Sequence, residues 1–289
     1  MQNQKQNSYR PMVFSRHPTH NILRRNNKTL PLLPFRSVVR LGSTTDIEDS
    51  ITNGGRRIEC NTIQAVKNSS NKLLMKQCFT EADIFTANWW TTIDSEHFYI
   101  YAPNSTTEGM LNKGDLEYPI VAKQIFGSRN NGNTLIKSQE QLNQWLIGKT
   151  LSNYIFEKFY NYNREYRLHV TEDGCFYTNR KVLRSDTPED KRWFRNDSNS
   201  NWIREDNEMF DKPVNWDNIV EHSVRALKAV GLDVGAVDLR IQSSKTEKGK
   251  VRENPDFIIV EINSAPSFGD ITSQKYIEQI PKILKRKHN

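Results

Sequence analysis

Only three of the 289 residues are cysteine. Cys60, Cys78 and Cys175 are scattered and odd in number, which argues against a disulfide framework and sets the expectation of a reducing, cytosolic setting. Long apolar runs are missing too: mean hydropathy is -0.75, and no run approaches the ~18 residues of a membrane span. No apolar segment of signal-peptide type lies near the start. The six histidines show no metal-ligand spacing, and no Cys-His or Ser-His-Asp order supports covalent catalysis. Acidic residues are absent from the first 45 positions, which hold eight of the 41 Lys and Arg.

That last absence localises the net charge of +7, because the remainder of the chain is close to neutral. Residues 1–29 therefore read as a basic, Asn- and Gln-rich arm, expected to be flexible, with weak nucleic-acid contact as its candidate role. The body is long enough for one large core or two modest ones. Leu32 to Leu41 suggest a strand ending at Gly42-Ser43-Thr44-Thr45, and Asn68-Ser69-Ser70 offer helix caps before Leu73, Leu74, Cys78 and Phe79. Further strands are expected at Tyr118–Lys123, Tyr154–Phe156 and Glu165–Val170, the last pairing with Phe176–Val182 across Asp173-Gly174. The polar stretch Arg184 to Glu208 reads as a long functional loop. Ile219, Val220, Val224, Leu227 and Val230 recur at helical steps and stop at Gly231. Strands at 234–242 and 257–262 follow as an antiparallel pair, and a helix at Tyr276–Lys287 is expected to be interrupted near Pro281. Alternating strands and helices make an α+β enzyme body.

The chemistry concentrates on those last two strands. Side chains two apart share a face, so Glu261 and Asn263 point one way while Ile258, Val260 and Ile262 fill the core. Asp238 adds a carboxylate from the neighbouring strand, and carboxylate and amide oxygens facing open space suit Mg²⁺. Upstream, Lys123 closes an apolar strand before Gly127-Ser128-Arg129-Asn130-Asn131-Gly132-Asn133, where glycines allow backbone N–H groups to turn toward a phosphate. Glu157, Lys158 and Phe159 form a hinge-like segment that can hold an adenine through backbone groups, and Glu165 can accept ribose hydroxyls. Arg167, Arg180, Lys181, Arg195 and Arg240 are candidate clamps for transferring phosphoryl oxygens. Arg240 shares a face with Asp238.

This succession resembles the ATP-grasp superfamily. Asn71-Lys72, Glu165-Tyr166-Arg167-Leu168-His169-Val170, Arg195-Asn196, Gly235-Ala236-Val237-Asp238 and Asn263-Ser264-Ala265-Pro266 look most like ATP-grasp proteins encoded by tailed phages, relatives of RimK-type ligases. The resemblance covers about residues 36 to 280. It implies two α/β subdomains sandwiching ATP, at 66–156 and 157–289, after a reduced α/β segment at 30–65. It further implies that Lys72 and Lys123 contact phosphates, that Ser128 and Gly132 belong to the phosphate loop, and that Asp238, Glu261 and Asn263 hold two Mg²⁺ ions. The implied activity is ATP-dependent carboxylate-amine ligation through an acylphosphate, releasing ADP and phosphate, on small-molecule or peptide carboxylates and amines. A small-molecule kinase, or a nucleotide-binding viral protein that contacts nucleic acid, would share these parts. Ser267 stands where the family often has Gly, and Asn130-Asn131 depart from its usual phosphate loop, so the acceptor is not specified.

Overall fold

Three sheets organise the chain. The computed structural model describes residues 8–24, 28–47, 57–101, 109–127, 132–205, 210 and 212–289. The smallest sheet joins β1 (Met12–Ser15), β2 (Ser37–Leu41) and β3 (Ile58–Cys60) in that order, all parallel. Its central strand, Ser-Val-Val-Arg-Leu, is buried at every position, as a parallel strand covered on both faces should be. The closing helix α5 (Asp270–His288) contributes Tyr276, Ile280, Ile283 and Leu284 to the same core.

The basic start of the chain is not a solvated arm over its described residues. Met12–Ser15 pair with residues 38–41, a 3-10 helix follows at Pro18–Leu23, and His20 and Leu23 are fully buried. Charge dominated the sequence reading, yet Val13, Ile22 and Leu23 supply enough apolar surface to join the small sheet's core. Pro281 does not interrupt α5 either. Ile280, Ile283 and Leu284 are buried on both sides of it, and their packing outweighs the single backbone hydrogen bond that the ring removes.

The second sheet has six strands: β4 (Trp89–Thr92), β5 (His97–Tyr101), β6 (Gly109–Asn112), β7 (Ile120–Gln124), β8 (Thr134–Ile136) and β9 (Tyr154–Lys158), ordered β6-β5-β4-β9-β7-β8. The strands β4 to β6 extend the sequence reading, which placed no strand there. Helix α3 (Gln139–Leu146) packs Leu142 onto this sheet, and Ser138 caps it by accepting from the Gln141 N–H. Helices α1 (Ile63–Ser70) and α2 (Lys72–Glu81) precede the sheet. The cap of α2 is Asn71, whose Oδ1 accepts from the Leu74 N–H at 3.1 Å. Asn68, Ser69 and Ser70 are the last turn of α1 instead, because Thr62 starts a helix one segment earlier.

The third sheet is antiparallel: β10 (Arg164–Thr171), β11 (Gly174–Leu183), β12 (Ser200–Glu205), β13 (Val234–Ile241) and β14 (Phe257–Asn263), ordered β12-β11-β10-β13-β14. Helix α4 (Trp216–Ala229) covers one face with Ile219, Ala226 and Leu227. It ends as its sequence demands, with Gly231 at φ +79 and the Leu232 N–H reaching back to the Leu227 carbonyl at 3.1 Å. The 184–208 stretch is not all loop, since it contains a 3-10 turn at Glu189–Lys191 and the edge strand β12.

Candidate active site

The face of the third sheet opposite α4 meets the six-stranded sheet across a cleft of about 500 Å³. Alternation assigns its floor. Tyr166 and Leu168 of β10 enter the α4 core, which leaves Glu165 and Arg167 for the cleft. They pair in register with Arg240 and Asp238 of β13, and Glu165 with Lys181 of β11. Arg180 therefore falls on the other face, where its guanidinium meets Glu205 at 2.6 Å, so it does not join the other predicted clamps. The parity that places Lys181 in the site removes its neighbour from it.

On β14 the pattern is broken by a register shift opposite Asp238 and Leu239. Ile259 and Ile262 enter the core, while Ile258, Val260, Glu261 and Asn263 line the cleft. The predicted common face of Glu261 and Asn263 holds. The placement of Ile258 and Val260 in the core does not, because the bulge gives two successive residues, Val260 and Glu261, the same side.

Asp238, Glu261 and Asn263 converge. The Asn263 Nδ2 lies 3.1 Å from Glu261 Oε1 and 3.4 Å from Asp238 Oδ2. Arg167 grips both oxygens of Asp238, at 2.6 and 2.7 Å. Burial pushes the Asp238 carboxyl up, but Arg167 prevails and holds it below the usual carboxylate range. Two carboxylates and an amide oxygen are hard donors of the kind Mg²⁺ takes when ligand oxygens complete its shell, so the donor set fits that ion. Among the described residues no group of three or more His, Cys, Asp or Glu is placed to hold a metal; an ion here would rest on two acids and an amide.

The opposite wall carries lysines. Lys72 Nζ donates to the Gly127 carbonyl, and Lys123 Nζ lies 2.7 Å from Glu157 Oε2. Burial lowers the Lys72 ammonium from its ordinary value, with Glu261 opposing. Glu157 is itself buried, which acts to raise its carboxyl, yet Lys123 and Lys76 together hold it below the ordinary range. Its carboxylate therefore organises lysines and does not face a base. The N–H groups of Lys158 and Phe159 donate to the carbonyls of Asn88 and Pro119, at 2.9 and 3.0 Å. Those two donors are unavailable to an adenine. The Lys158 side chain pairs with Glu117 at the surface.

Glu165 sits among three cations: Arg240 at 3.0 Å, Lys181 at 3.4 Å and Arg195 at 3.6 Å. Burial lowers the Arg195 guanidinium from its ordinary value, and among the described residues its buried Nε has no hydrogen-bond partner. Arg240 also donates to the Trp193 carbonyl at 3.0 Å, which fastens the 184–205 segment over the cleft. Gly132 has φ +77, and a Cβ there would strike the Gln124 side chain, so this turn needs glycine. Gly127 and Asn133, not Gly132, line the cleft. Ser128 lies outside the described residues.

Sequence reasoning missed four contributors. His17 brings the N-terminal segment to the cleft. Trp193 lies 6.5 Å from Phe159, ring to ring, and Trp202 packs under both Arg167 and Lys181, each 4.6 Å from its ring centre. Lys76, fully buried, reaches Glu157 at 3.3 Å. Only Lys76 left a trace in the sequence, as a lysine one turn after Lys72 on a helix that also carries Leu73, Leu74, Met75 and Phe79.

No family model matches the chain, and no curated protein matches it by sequence. Solved structures do. A biotin carboxylase from Campylobacter jejuni superposes with a TM-score of 0.57 over 86% of this chain and 54% of its own, at 14% identity. A D-alanine–D-alanine ligase from Bacillus anthracis gives 0.57 over 87% and 81%, at 12% identity. A structure described as the ATP-grasp ligase PsnB with a minimal precursor gives 0.50 over 87% and 78%, at 13%. The chain has the ATP-grasp fold. In ATP-grasp terms the six-stranded and five-stranded sheets are the two jaws, and the cleft just described lies between them. The chain spans about half the length of the biotin carboxylase. No helix among the described residues is long and apolar enough to cross a membrane.

Proposed function

We propose that this protein is an ATP-dependent carboxylate-amine ligase. The observation that carries the reading is the opposition of two walls: Lys72 and Lys123 on one, and Asp238, Glu261 and Asn263 with Arg167 on the other. Cations facing an oxygen-donor set across a narrow cleft suit a triphosphate whose terminal group must be neutralised and aimed. Solved proteins of the same fold include a D-alanine–D-alanine ligase described as complexed with ATP and a biotin carboxylase described as a β,γ-ATP complex.

Lys72 and Lys123 would bind phosphate oxygens, and Phe159, Trp193, Val121 and Ile258 would enclose the base. Glu165 would accept the ribose hydroxyls, with Arg240 and Lys181 orienting its carboxylate. Mg²⁺, held by Asp238, Glu261 and Asn263, would supply charge neutralisation to the phosphates. Arg195, which lines the cleft beside Glu165, would stabilise the acceptor's developing charge. In the reaction an acceptor carboxylate oxygen takes the γ-phosphoryl group as its bond to ADP breaks. An amine then attacks the acyl carbon, loses a proton and expels phosphate. The segment carrying Trp193 and Trp202 would keep water from the acylphosphate.

Purified protein given Mg²⁺, ATP and pools of amino acids or acidic peptides should release ADP and phosphate, with a product mass equal to amide condensation. Asp238→Ala should lower the rate by roughly 100-fold or more. Release of AMP, or an unchanged Asp238→Ala rate, would contradict the mechanism, and ADP with a phosphorylated product would make the protein a kinase.

A further inference from the structure

Helix α2 touches both jaws, and one buried side chain makes the connection. Lys76 is fully buried, one turn from Lys72 on the same face of α2. Its Nζ lies 3.3 Å from Glu157 Oε1, and the other oxygen of Glu157 holds Lys123 Nζ at 2.7 Å. Toward the opposite jaw, Lys76 Nζ donates to Thr86 Oγ1, and Thr86 Oγ1 donates to the Ile259 carbonyl at 2.8 Å. A hydroxyl has one proton, so the proton given to Ile259 fixes the Thr86 lone pairs toward the ammonium. The Ile259 N–H donates to the Phe85 carbonyl at 2.7 Å, which pins both polar groups of Ile259. That residue adjoins the bulge that turns Val260 and Glu261 toward the cleft. A further contact from α2 falls between the two oxygen donors: the Ile262 N–H points at Met75 Sδ, 3.4 Å away.

We propose that Lys76 is a positioning residue that sets both walls of the nucleotide cleft, orienting Lys123 through Glu157 and Glu261 through Thr86 and Ile259. It touches no substrate. A neutral apolar residue would fill this place at lower desolvation cost if packing were the only requirement. Burial lowers the Lys76 ammonium to about 8, with Glu157 opposing, so the charge is kept against its surroundings. The inference rests on the nucleotide-binding part of the proposed function and not on the identity of the acceptor.

The test is the affinity of the full-length protein for β,γ-imido-ATP with Mg²⁺, by calorimetry, alongside thermal unfolding. Lys76→Met should weaken binding by about 10- to 100-fold, the range for loss of an outer partner that orients a ligand. Thr86→Val should weaken it while Thr86→Ser, which keeps the hydroxyl, binds as wild type; this pair stands even if Lys76→Met fails to fold. Glu157→Gln should unfold at lower temperature than wild type, and adding Lys76→Met to it should recover stability by removing one of two uncompensated ammonium groups. Folded Lys76→Met or Thr86→Val with wild-type affinity would overturn the inference while leaving nucleotide binding intact. A wild-type protein that binds no nucleotide would overturn the nucleotide reading and this inference with it.

Discussion

Arg167 stands where a divalent cation is expected to act, and its removal separates the two roles. The Asp238 carboxyl is held low in the folded state by that guanidinium against the opposing effect of burial. Its contribution to stability is complete above the unfolded value near ~3.9 and is lost as pH falls through the lower folded value. Arg167→Met leaves the carboxylate buried without its partner and should destabilise the protein by about 3–5 kcal/mol at neutral pH, read by urea unfolding. Millimolar Mg²⁺ should restore more stability to that variant than to wild type, since the ion replaces the missing charge; equal responses would mean that Mg²⁺ does not reach Asp238. At this scale the sequence was a partial guide. Strand parity puts Glu261 with Asn263, and Asp238 with Arg240, on the cleft face, whereas the pairing of the Glu157 carboxylate was not legible because its two lysine partners are 34 and 81 positions away.

Among the elements, the N-terminal segment is the one whose character changed. His20 Nε2–H donates to the Pro266 carbonyl at 2.7 Å and Nδ1 of the neutral ring accepts from Ser15 Oγ at 2.6 Å, which ties β1 to the loop after the oxygen-donor strand. Burial pulls His20 down to about 4 despite the Pro266 bond. A histidine kept neutral in the fold is protonated first in the unfolded chain, so its penalty is absent above ~6.5 and grows as pH falls toward 4, reaching about 3 kcal/mol. His169, lowered to about 3 by burial and Arg167, acts in the same direction. His20→Gln should flatten part of this acid slope in pH-dependent unfolding, with His169 maintaining the rest. Leu23→Ala should cost about 2–5 kcal/mol, whereas a solvated arm would give almost nothing. Helices α4 and α5 were legible from their periodicity and from Gly231. The strands β4 to β6 were not, because Trp, Thr and Tyr tracts with polar insertions carry no clean period of two.

For the whole molecule, the proposed nucleotide would join two jaws. MgATP at ~100 times its dissociation constant should stabilise the folded state by about 2.7 kcal/mol and slow proteolysis of residues 184–205, which Arg240 already fastens through Trp193. Stabilisation without protection of that segment would remove it from the closing of the cleft. The sequence by itself determined what is local: which residues alternate on β10 and β13, where α4 stops, and that Glu261 and Asn263 share a face suited to oxygen-ligand chemistry. Only the tertiary structure decided which lysines Glu157 holds, that Lys181 and not Arg180 faces the cleft, that Val260 joins it through a bulge, and that His17 reaches it from the N-terminal segment. Those outcomes depend on contacts between segments tens to hundreds of positions apart, and side-chain periodicity carries no information about partners across a fold.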